Sequence, residues 1–141
     1  KALCFAGSAD TCVLDLYMKD TSSGASHNSI GTNTNQFGEF EVNGFQSIVA
    51  ITLDDLSEVK GILLPNHIKL DVDGRELEIL KGSSKLLLTI ETILVEIEGS
   101  NRGENLEDIE NLLSNAGLIE DTEWRDKGSG RNRLYKRDRN L

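Results

Sequence analysis

The sequence predicts an α/β domain, and three segments carry that prediction. Residues 92–99, TILVEIEG, form a near-continuous apolar run, which is typical of a strand buried on both faces in a parallel sheet. Residues 67–73, HIKLDVD, predict another strand, followed at once by the short helical segment RELEILKG. Residues 104–117, ENLEDIENLLSNAG, predict an amphipathic helix whose apolar stripe consists of Leu106, Ile109, Leu112, Leu113 and Ala116.

The order of elements from residue 67 onward is strand, helix, strand, helix, strand and a final hairpin strand. This alternation implies right-handed crossovers, so we expect a mostly parallel sheet. The last two strands, predicted at 118–124 and 131–137, are joined by RDKGSG, which has the composition of a hairpin turn. The hairpin is therefore expected to add one antiparallel strand to the sheet.

The first third of the chain has a different texture. The run LCFA (3–6) is predicted to pair with the strand CVLDLYM (12–18) across the turn GSAD. Residues 19–47 are rich in Ser, Thr, Asn and Gly without a period, which predicts a long loop with a short strand at 39–42. A loop of this length in a compact domain is usually a functional lid or disordered.

Size and charge limit the classes of function. The chain of 141 residues (1–141) is long enough for a single domain with one core. A net charge of −9 disfavours phosphate backbones and anionic membrane surfaces, and no apolar run approaches the ~20 residues of a membrane span. We therefore expect neither nucleic acid nor a membrane as a partner. A basic cluster near the C-terminus is predicted to be a solvated strand or tail; it consists of Arg131, Arg133, Lys136, Arg137 and Arg139.

The two cysteines, Cys4 and Cys12, lie in apolar surroundings and form neither a disulfide framework nor a zinc pattern. We expect both to be small, buried core residues. The use of unpaired thiols favours a reducing, cytoplasmic setting.

Four carboxylates are predicted at one edge of the sheet: Asp71 and Asp73 follow one strand, and Glu96 and Glu98 end the next. Ligands bind beyond the carboxyl ends of strands in open parallel sheets, and such a cluster suits a general base, a metal ion or hydroxyl recognition. Helix capping is the simpler explanation of Asp73, since Glu76 completes a capping-box spacing. Asp71 and Glu96 lie within apolar strands and are the stronger candidates, because a buried carboxylate is costly without a role or a partner.

Two known patterns share letters with this acidic turn. An EF-hand loop requires its glycine at the sixth position, whereas Gly74 is fourth in D-V-D-G, so we reject a calcium loop. A haloacid-dehalogenase-type phosphatase uses a strand, then D-x-D-G, then Thr or Val. LDVDG matches that motif, but Arg75 stands where the hydroxyl or branched residue belongs, and more than 60 residues precede a motif that normally opens its domain. A magnesium-dependent phosphatase stays open as an alternative function.

A longer match covers residues 67–82, HIKLDVDGRELEILKG. This segment resembles the fourth-strand motif of the FkbM-like family of S-adenosylmethionine-dependent methyltransferases, K-I/L-D-V/I-E/D-G-x-E-x-x-I/V-L-x-G. AITLDDL before it and TILVEIEG and SNAGL after it are similar to the segments that flank this motif in the family, and FAGSADTCVLDLYM resembles the family's A-L-S-D segment with its following strand. The matching positions within the motif are Lys69, Asp71, Asp73, Gly74, Glu76, Leu80 and Gly82.

The resemblance implies a Rossmann-like methyltransferase fold and methyl transfer from S-adenosylmethionine to a hydroxyl oxygen of a sugar or natural product. A carboxylate near the acceptor is then expected to act as general base or to orient the hydroxyl, with Asp71 as the first candidate and Glu96 as the second. The long loop at 19–47 is expected to cover the acceptor, with His27 as a further candidate base. By the same resemblance, the residues near the adenine of the donor are Ala6, Ser8 and Asp10.

Two parts of the family's donor site have no match in this sequence: the glycine-rich turn after the first strand and the acidic residue that ends the second. We therefore predict that the chain represents the C-terminal part of a catalytic domain, with strand 67–72 at an unpaired sheet edge. Three outcomes are open: a partner chain such as a second copy covers the edge, the chain is unstable alone, or the sheet order differs. A non-catalytic interaction module is accordingly a second alternative function.

Overall fold

The structure, a computed structural model, describes residues 2–35, 37–97, 104–128 and 130–139. Its strands are β1 (Ala6–Gly7), β2 (Cys12–Met18), β3 (Ser29–Ile30), β4 (Thr34–Asn35), β5 (Gly38–Glu39), β6 (Gly44–Ile51), β7 (His67–Leu70), β8 (Thr92–Glu96), β9 (Leu118–Glu120) and β10 (Asn132–Arg137). Its helices are α1 (Leu53–Ser57), α2 (Glu76–Lys81), α3 (Glu104–Asn115) and α4 (Thr122–Lys127), with a 3-10 turn at Leu86–Leu88. Within these ranges, no helix has the length and apolar character that a membrane crossing requires.

The C-terminal sheet contains four strands in the order β7-β8-β10-β9. β7 is parallel to β8, and β10 is antiparallel to both β8 and β9, so three strands run in one direction and β10 runs in the other. The predicted antiparallel final strand is therefore confirmed. β7 lies at the edge of this sheet among the described residues, as the sequence predicted.

The N-terminal sheet contains four strands in the order β1-β6-β2-β3. β1 is parallel to β6, whereas β2 is antiparallel to β6 and to β3. The predicted pairing of residues 3–6 with 12–18 is wrong, because β6 lies between β1 and β2. Ala50 of β6 is fully buried, with Ala6 opposite it on one side and Cys12 on the other.

The expectation of a mostly parallel sheet is wrong for the chain as a whole. Of the strand pairs in the described residues, two are parallel and five are antiparallel. β2 to β6 follow one another without an intervening helix, and strands joined in this way pair antiparallel, since parallel pairing needs a long crossover. α2 supplies such a crossover between β7 and β8.

Two connections contain more structure than the sequence predicted. The loop expected at 19–47 carries β3, β4, β5 and the start of β6, and the short strand expected at 39–42 lies at Gly38–Glu39. The hairpin connection expected before the last strand is helix α4. Its N-cap is Asp121, whose carboxylate accepts a hydrogen bond from the Trp124 N–H at 2.9 Å, so β9 is shorter than the predicted strand at 118–124.

The hydrophobic core is formed by the C-terminal sheet together with α2 and α3. Ile93 and Val95 of β8 are 1% and 0% exposed, whereas Leu94 on the opposite face is half-buried, so burial is complete on one face of this strand only. Ile109 and Leu113 of α3 are completely buried, which confirms the amphipathic helix.

The cysteines are not core residues: Cys4 and Cys12 are both exposed free thiols, so the prediction of burial is wrong. Val13, next to Cys12, is 68% exposed, and both faces at the start of β2 therefore meet solvent. Apolar alternation along a strand buries a face only where a second layer packs on it.

The basic residues near the C-terminus are largely paired, which corrects the expectation of a solvated cluster. Arg133 Nη1 lies 2.6 Å from Glu110 Oε1. The guanidinium of Arg137 satisfies carbonyl groups at the ends of helical segments, which lack partners within the helix. These are the backbone carbonyls of Leu87, Ile90 and Ala116.

Candidate active site

The carboxyl ends of β7 and β8 bring two of the predicted site residues together. Leu70 is opposite Val95 in the parallel pair, so the next positions, Asp71 and Glu96, lie side by side. Glu96 is close enough to Asp71 to lower the pKa of Asp71 through a side-chain hydrogen bond. The convergence expected for these two carboxylates is therefore confirmed. Glu98, the fourth carboxylate of the predicted cluster, lies outside the described residues.

Asp71 is held in its ionised form. Lys69 Nζ lies 2.6 Å from Asp71 Oδ2, and this hydrogen bond lowers the pKa of Asp71 most, followed by the hydrogen bond from Glu96 and the charge of Arg131. The side chain of Asp71 is 38% exposed, so the expectation of an embedded carboxylate is wrong. β7 is an edge strand, and its end meets solvent. An exposed carboxylate with a lowered pKa is a weak base but a good hydrogen-bond acceptor.

The turn after Asp71 is held by a buried acid that sequence reasoning explained as a helix cap. Glu76 is 1% exposed, and its two carboxylate oxygens accept hydrogen bonds from the N–H groups of Val72 and Gly74, each at 3.0 Å. Asp73 has a φ of 55° and Gly74 a φ of 103°, so both residues adopt left-handed backbone conformations. Glu76 therefore fixes the strained turn that follows the candidate base.

The capping role predicted for Asp73 is wrong. An N-cap residue has extended backbone geometry, which the left-handed Asp73 does not have. The N-cap position of α2 is Arg75, which makes no capping hydrogen bond through its side chain. The signal that could have identified Glu76 is its place two residues after Gly74, from which a carboxylate can fold back on a glycine turn.

A cleft of about 360 Å³ lies between this turn and the segment around β3 and β4. Arg75 closes one side of it: Nη1 donates to the Ile30 carbonyl at 3.1 Å, while Nε is buried without a hydrogen-bond partner among the described residues. Part of the loop predicted to cover the acceptor thus packs against the acidic turn. The polar residues that line the cleft besides Arg75 are Asn28, Ser29, Thr32, Thr34, Asn35 and Asp73.

His27 lies elsewhere in this loop. Its backbone φ is 63°, and its exposed ring packs edge-on against Phe37 with the ring centroids 5.0 Å apart. His27 borders a separate cleft of about 720 Å³, together with Lys19, Asp20, Thr21 and Asn43, and it does not line the cleft beside Arg75. The role of His27 as a base stays a prediction.

The predicted donor-binding segment packs against the end of α2. Ala6 and Ser8 are each 6% exposed, and the Ser8 N–H donates to the Ile51 carbonyl at 3.1 Å. A Cβ at Gly82 would lie 2.2 Å from the Ser8 carbonyl oxygen, so the two backbones touch. Asp10 is exposed, so of the three residues predicted to contact the methyl donor it is the one whose side chain is accessible.

The described residues contain no group of three or more His, Cys, Asp and Glu side chains arranged to hold a metal ion. Arg75 is the other functional candidate that sequence reasoning missed, since it was considered only as a mismatch to a phosphatase motif. Its position beside β3 depends on a contact across 45 residues of sequence, which no local pattern reveals.

Comparison with known proteins supplies the family. Residues 3–119 match the model of the methyltransferase FkbM domain. The chain is also 39% identical over 75 residues to the hexuronic acid methyltransferase AglP of Haloferax volcanii. That alignment covers 53% of this chain and 30% of the relative, so the chain matches less than a third of the relative's length. No solved structure matches, and neither sequence comparison supports the phosphatase alternative. Because the family model covers most of the chain, the protein belongs to the FkbM methyltransferase family.

Proposed function

We propose that the protein transfers a methyl group from S-adenosylmethionine to a hydroxyl oxygen of a sugar, with a sugar acid as the acceptor class to test first. The observation that carries this proposal is the FkbM domain match over residues 3–119, together with the relative named for hexuronic acid. The cleft beside the acidic turn supports it, because amide and hydroxyl side chains line it, and such groups recognise sugars by hydrogen bonds.

The donor supplies an electrophilic methyl group. The residues of this chain can contact part of the S-adenosylmethionine molecule. The exposed carboxylate of Asp10 can accept hydrogen bonds from its amino or hydroxyl groups. The buried Ala6 and Ser8 can contribute through the backbone rather than through their side chains. The negative charge of Asp71 also suits the neighbourhood of a cationic donor.

The chain's own contribution to the reaction is positioning. Asp71 accepts the hydrogen bond of the acceptor hydroxyl and directs an oxygen lone pair toward the methyl carbon. In such a transfer the carbon–oxygen bond would form as the carbon–sulfur bond of the donor breaks, S-adenosylhomocysteine would be the leaving group, and the hydroxyl proton would pass to the carboxylate of Asp71 or to water. The lowered pKa of Asp71 makes it an orienting group first and a proton acceptor second.

The test is methyl transfer from isotope-labelled S-adenosylmethionine to simple glycosides. We expect Asp71→Asn to lower turnover about 100-fold, at the low end of the range for acid–base residues, because the amide keeps an acceptor oxygen but loses the charge. Asp126→Asn is the matched control, since Asp126 is 77% exposed on α4 and, among the described residues, makes only a 3.8 Å ion pair with Arg125. Normal turnover by Asp71→Asn would exclude the assigned role.

Donor binding is measured separately by calorimetry with S-adenosylhomocysteine. Asp10→Asn is expected to weaken binding several-fold, whereas Asp15→Asn on β2 is expected to leave it unchanged, since Asp15 is occupied by the Ser47 hydroxyl at 3.0 Å. Equal effects of the two variants would remove Asp10 from the donor site.

A further inference from the structure

Arg75 presents a feature that the proposed methyl transfer does not use. Its guanidinium is tethered through Nη1 to the Ile30 carbonyl, and its Nε–H is buried without a partner within the described ranges. Buried donors in folded proteins are nearly always satisfied, and charged donors most of all. Arg75 as a whole is only partly buried and lines the cleft, so a ligand that settles against it can bring an acceptor to the guanidinium.

The charge distribution of the cleft indicates what that acceptor is. Among the residues that line it, Arg75 is the cation, Asp73 is the anion, and the other polar side chains are neutral. Several of the neutral groups are already engaged in holding the wall. Asn28 accepts the Lys19 N–H at 3.1 Å, and the Ser29 hydroxyl donates to the Thr34 carbonyl at 2.7 Å.

We propose that Arg75 binds the carboxylate of a uronic acid unit in this cleft and thereby selects acidic over neutral sugars. The inference rests on the proposed function, which it deepens by naming the specificity residue. A carboxylate forms short, charge-assisted hydrogen bonds with a guanidinium, whose planar fork matches its two oxygens, and this suits the partly buried Arg75. Asp73 repels a second anion, so the acid end of the sugar lies at Arg75 and hydroxyl groups lie toward Asp73.

The dimensions agree with this assignment. A cleft of about 360 Å³ lies at the small end of the range for ligand sites and suits one monosaccharide unit. Val72 and Asp73 line the cleft, and Asp71 directly precedes them without lining it, so a sugar that extends from Arg75 past Asp73 would reach the candidate orienting residue. The tether to Ile30 fixes the guanidinium in advance, which reduces the entropy lost on binding.

The experiment compares binding of methyl β-D-glucuronide and methyl β-D-glucoside by calorimetry, with ligand-observed NMR for weak binding. We expect the protein to prefer the glucuronide by about tenfold or more, and Arg75→Gln to reduce that preference to about twofold by weakening glucuronide binding alone. Arg139→Gln is the control, because Arg139 is 83% exposed and pairs only with Glu91 among the described contacts. Equal affinity of the unaltered protein for both sugars, or binding of neither, would overturn the proposal.

A second variant covers the case in which loss of the Ile30 contact unfolds the protein. Asn28→Asp keeps the oxygen that accepts the Lys19 N–H and adds a negative charge to the cleft wall. It is expected to weaken glucuronide binding several-fold more than glucoside binding, because the added charge repels only the anionic sugar. An unchanged glucuronide affinity in this variant would contradict the assigned position of the carboxylate.

The two proposals can fail separately. Selective glucuronide binding without methyl transfer to any sugar would overturn the proposed function and leave the carboxylate site standing. Methyl transfer to glucuronide and glucoside at equal rates would leave the function standing and overturn the role of Arg75.

Discussion

Replacing Glu76 by Gln tests how the acidic turn is held. In the structure, both oxygens of this 1% exposed carboxylate accept backbone hydrogen bonds at 3.0 Å, from Val72 and Gly74. Gln presents an NH₂ group to one of those two N–H donors, so one hydrogen bond is lost and two donors face each other in a buried site. A hydrogen bond to a charged group contributes about 1.5–3 kcal/mol, and leaving a buried donor unpaired costs about 1–3 kcal/mol.

We therefore expect Glu76→Gln to lower the free energy of unfolding by about 2–4 kcal/mol. The assay is urea denaturation followed by circular dichroism, with the m-value monitored to detect any change in the unfolding transition. Glu78→Gln is the matched control on the same helix, since Glu78 is 42% exposed and its pair with Lys81 at 2.9 Å is a surface ion pair worth less than about 1 kcal/mol.

Equal loss of stability in the two variants would refute the reasoning, because it would mean that the buried bonds to the turn contribute no more than a surface ion pair. A destabilised variant that is still folded under the assay conditions but inactive would extend the reasoning, since Glu76 would then also act by positioning Asp71. Turnover measured well below the unfolding midpoint separates these effects.

Two further predictions concern the rest of the fold. Burial raises the pKa of Tyr135 from 10.0 to about 12. The neutral phenol therefore stabilises the fold fully below pH 10, and this stabilisation is lost as the pH rises to about 12. The free energy of unfolding should fall by about 2–3 kcal/mol over that range. Absorbance at 295 nm, followed as the pH is raised, should show a phenol ionisation at high pH that is absent from Tyr135→Phe and present in Tyr17→Phe. If Tyr135→Phe still showed this ionisation, Tyr135 would not be the group with the raised pKa. Gly82→Ala should cost about 2–3 kcal/mol in thermal unfolding, because its Cβ would lie 2.2 Å from the Ser8 carbonyl oxygen. Gly128→Ala, whose Cβ would meet atoms no closer than 3.5 Å, should change stability little, and an equal loss there would argue against close backbone packing at Gly82.

The sequence predicted the parts of the fold that depend on local periodicity. The apolar run TILVE forms β8, and the stripe containing Ile109 and Leu113 forms α3, because side chains three to four residues apart necessarily share a helix face. Gly117, just after α3, has a φ of 76°, the left-handed conformation typical of a residue that ends a helix.

The errors lie where distant segments decide local structure. Residues 3–6 and 12–18 are neighbours in sequence, yet β6 enters between them, and its small, fully buried Ala50 permits that close approach. Cys12 has the alternation of a buried strand residue but is exposed, since none of the residues that the structure describes covers the start of β2. Strand periodicity states which residues share a face and leaves open what packs on it.

The acidic turn on which the functional prediction rested also shows which features a local sequence pattern determines and which depend on tertiary contacts. The sequence by itself determined the motif at residues 67–82, the family to which it is similar, and the meeting of Asp71 with Glu96, because the ends of adjacent parallel strands share an edge. Tertiary structure alone decided that Asp71 is exposed beside Lys69, that Glu76 holds the turn, and that Arg75 reaches Ile30 across 45 residues. Burial and hydrogen-bond partners arise from contacts between segments far apart in the chain, and a local pattern contains no record of them.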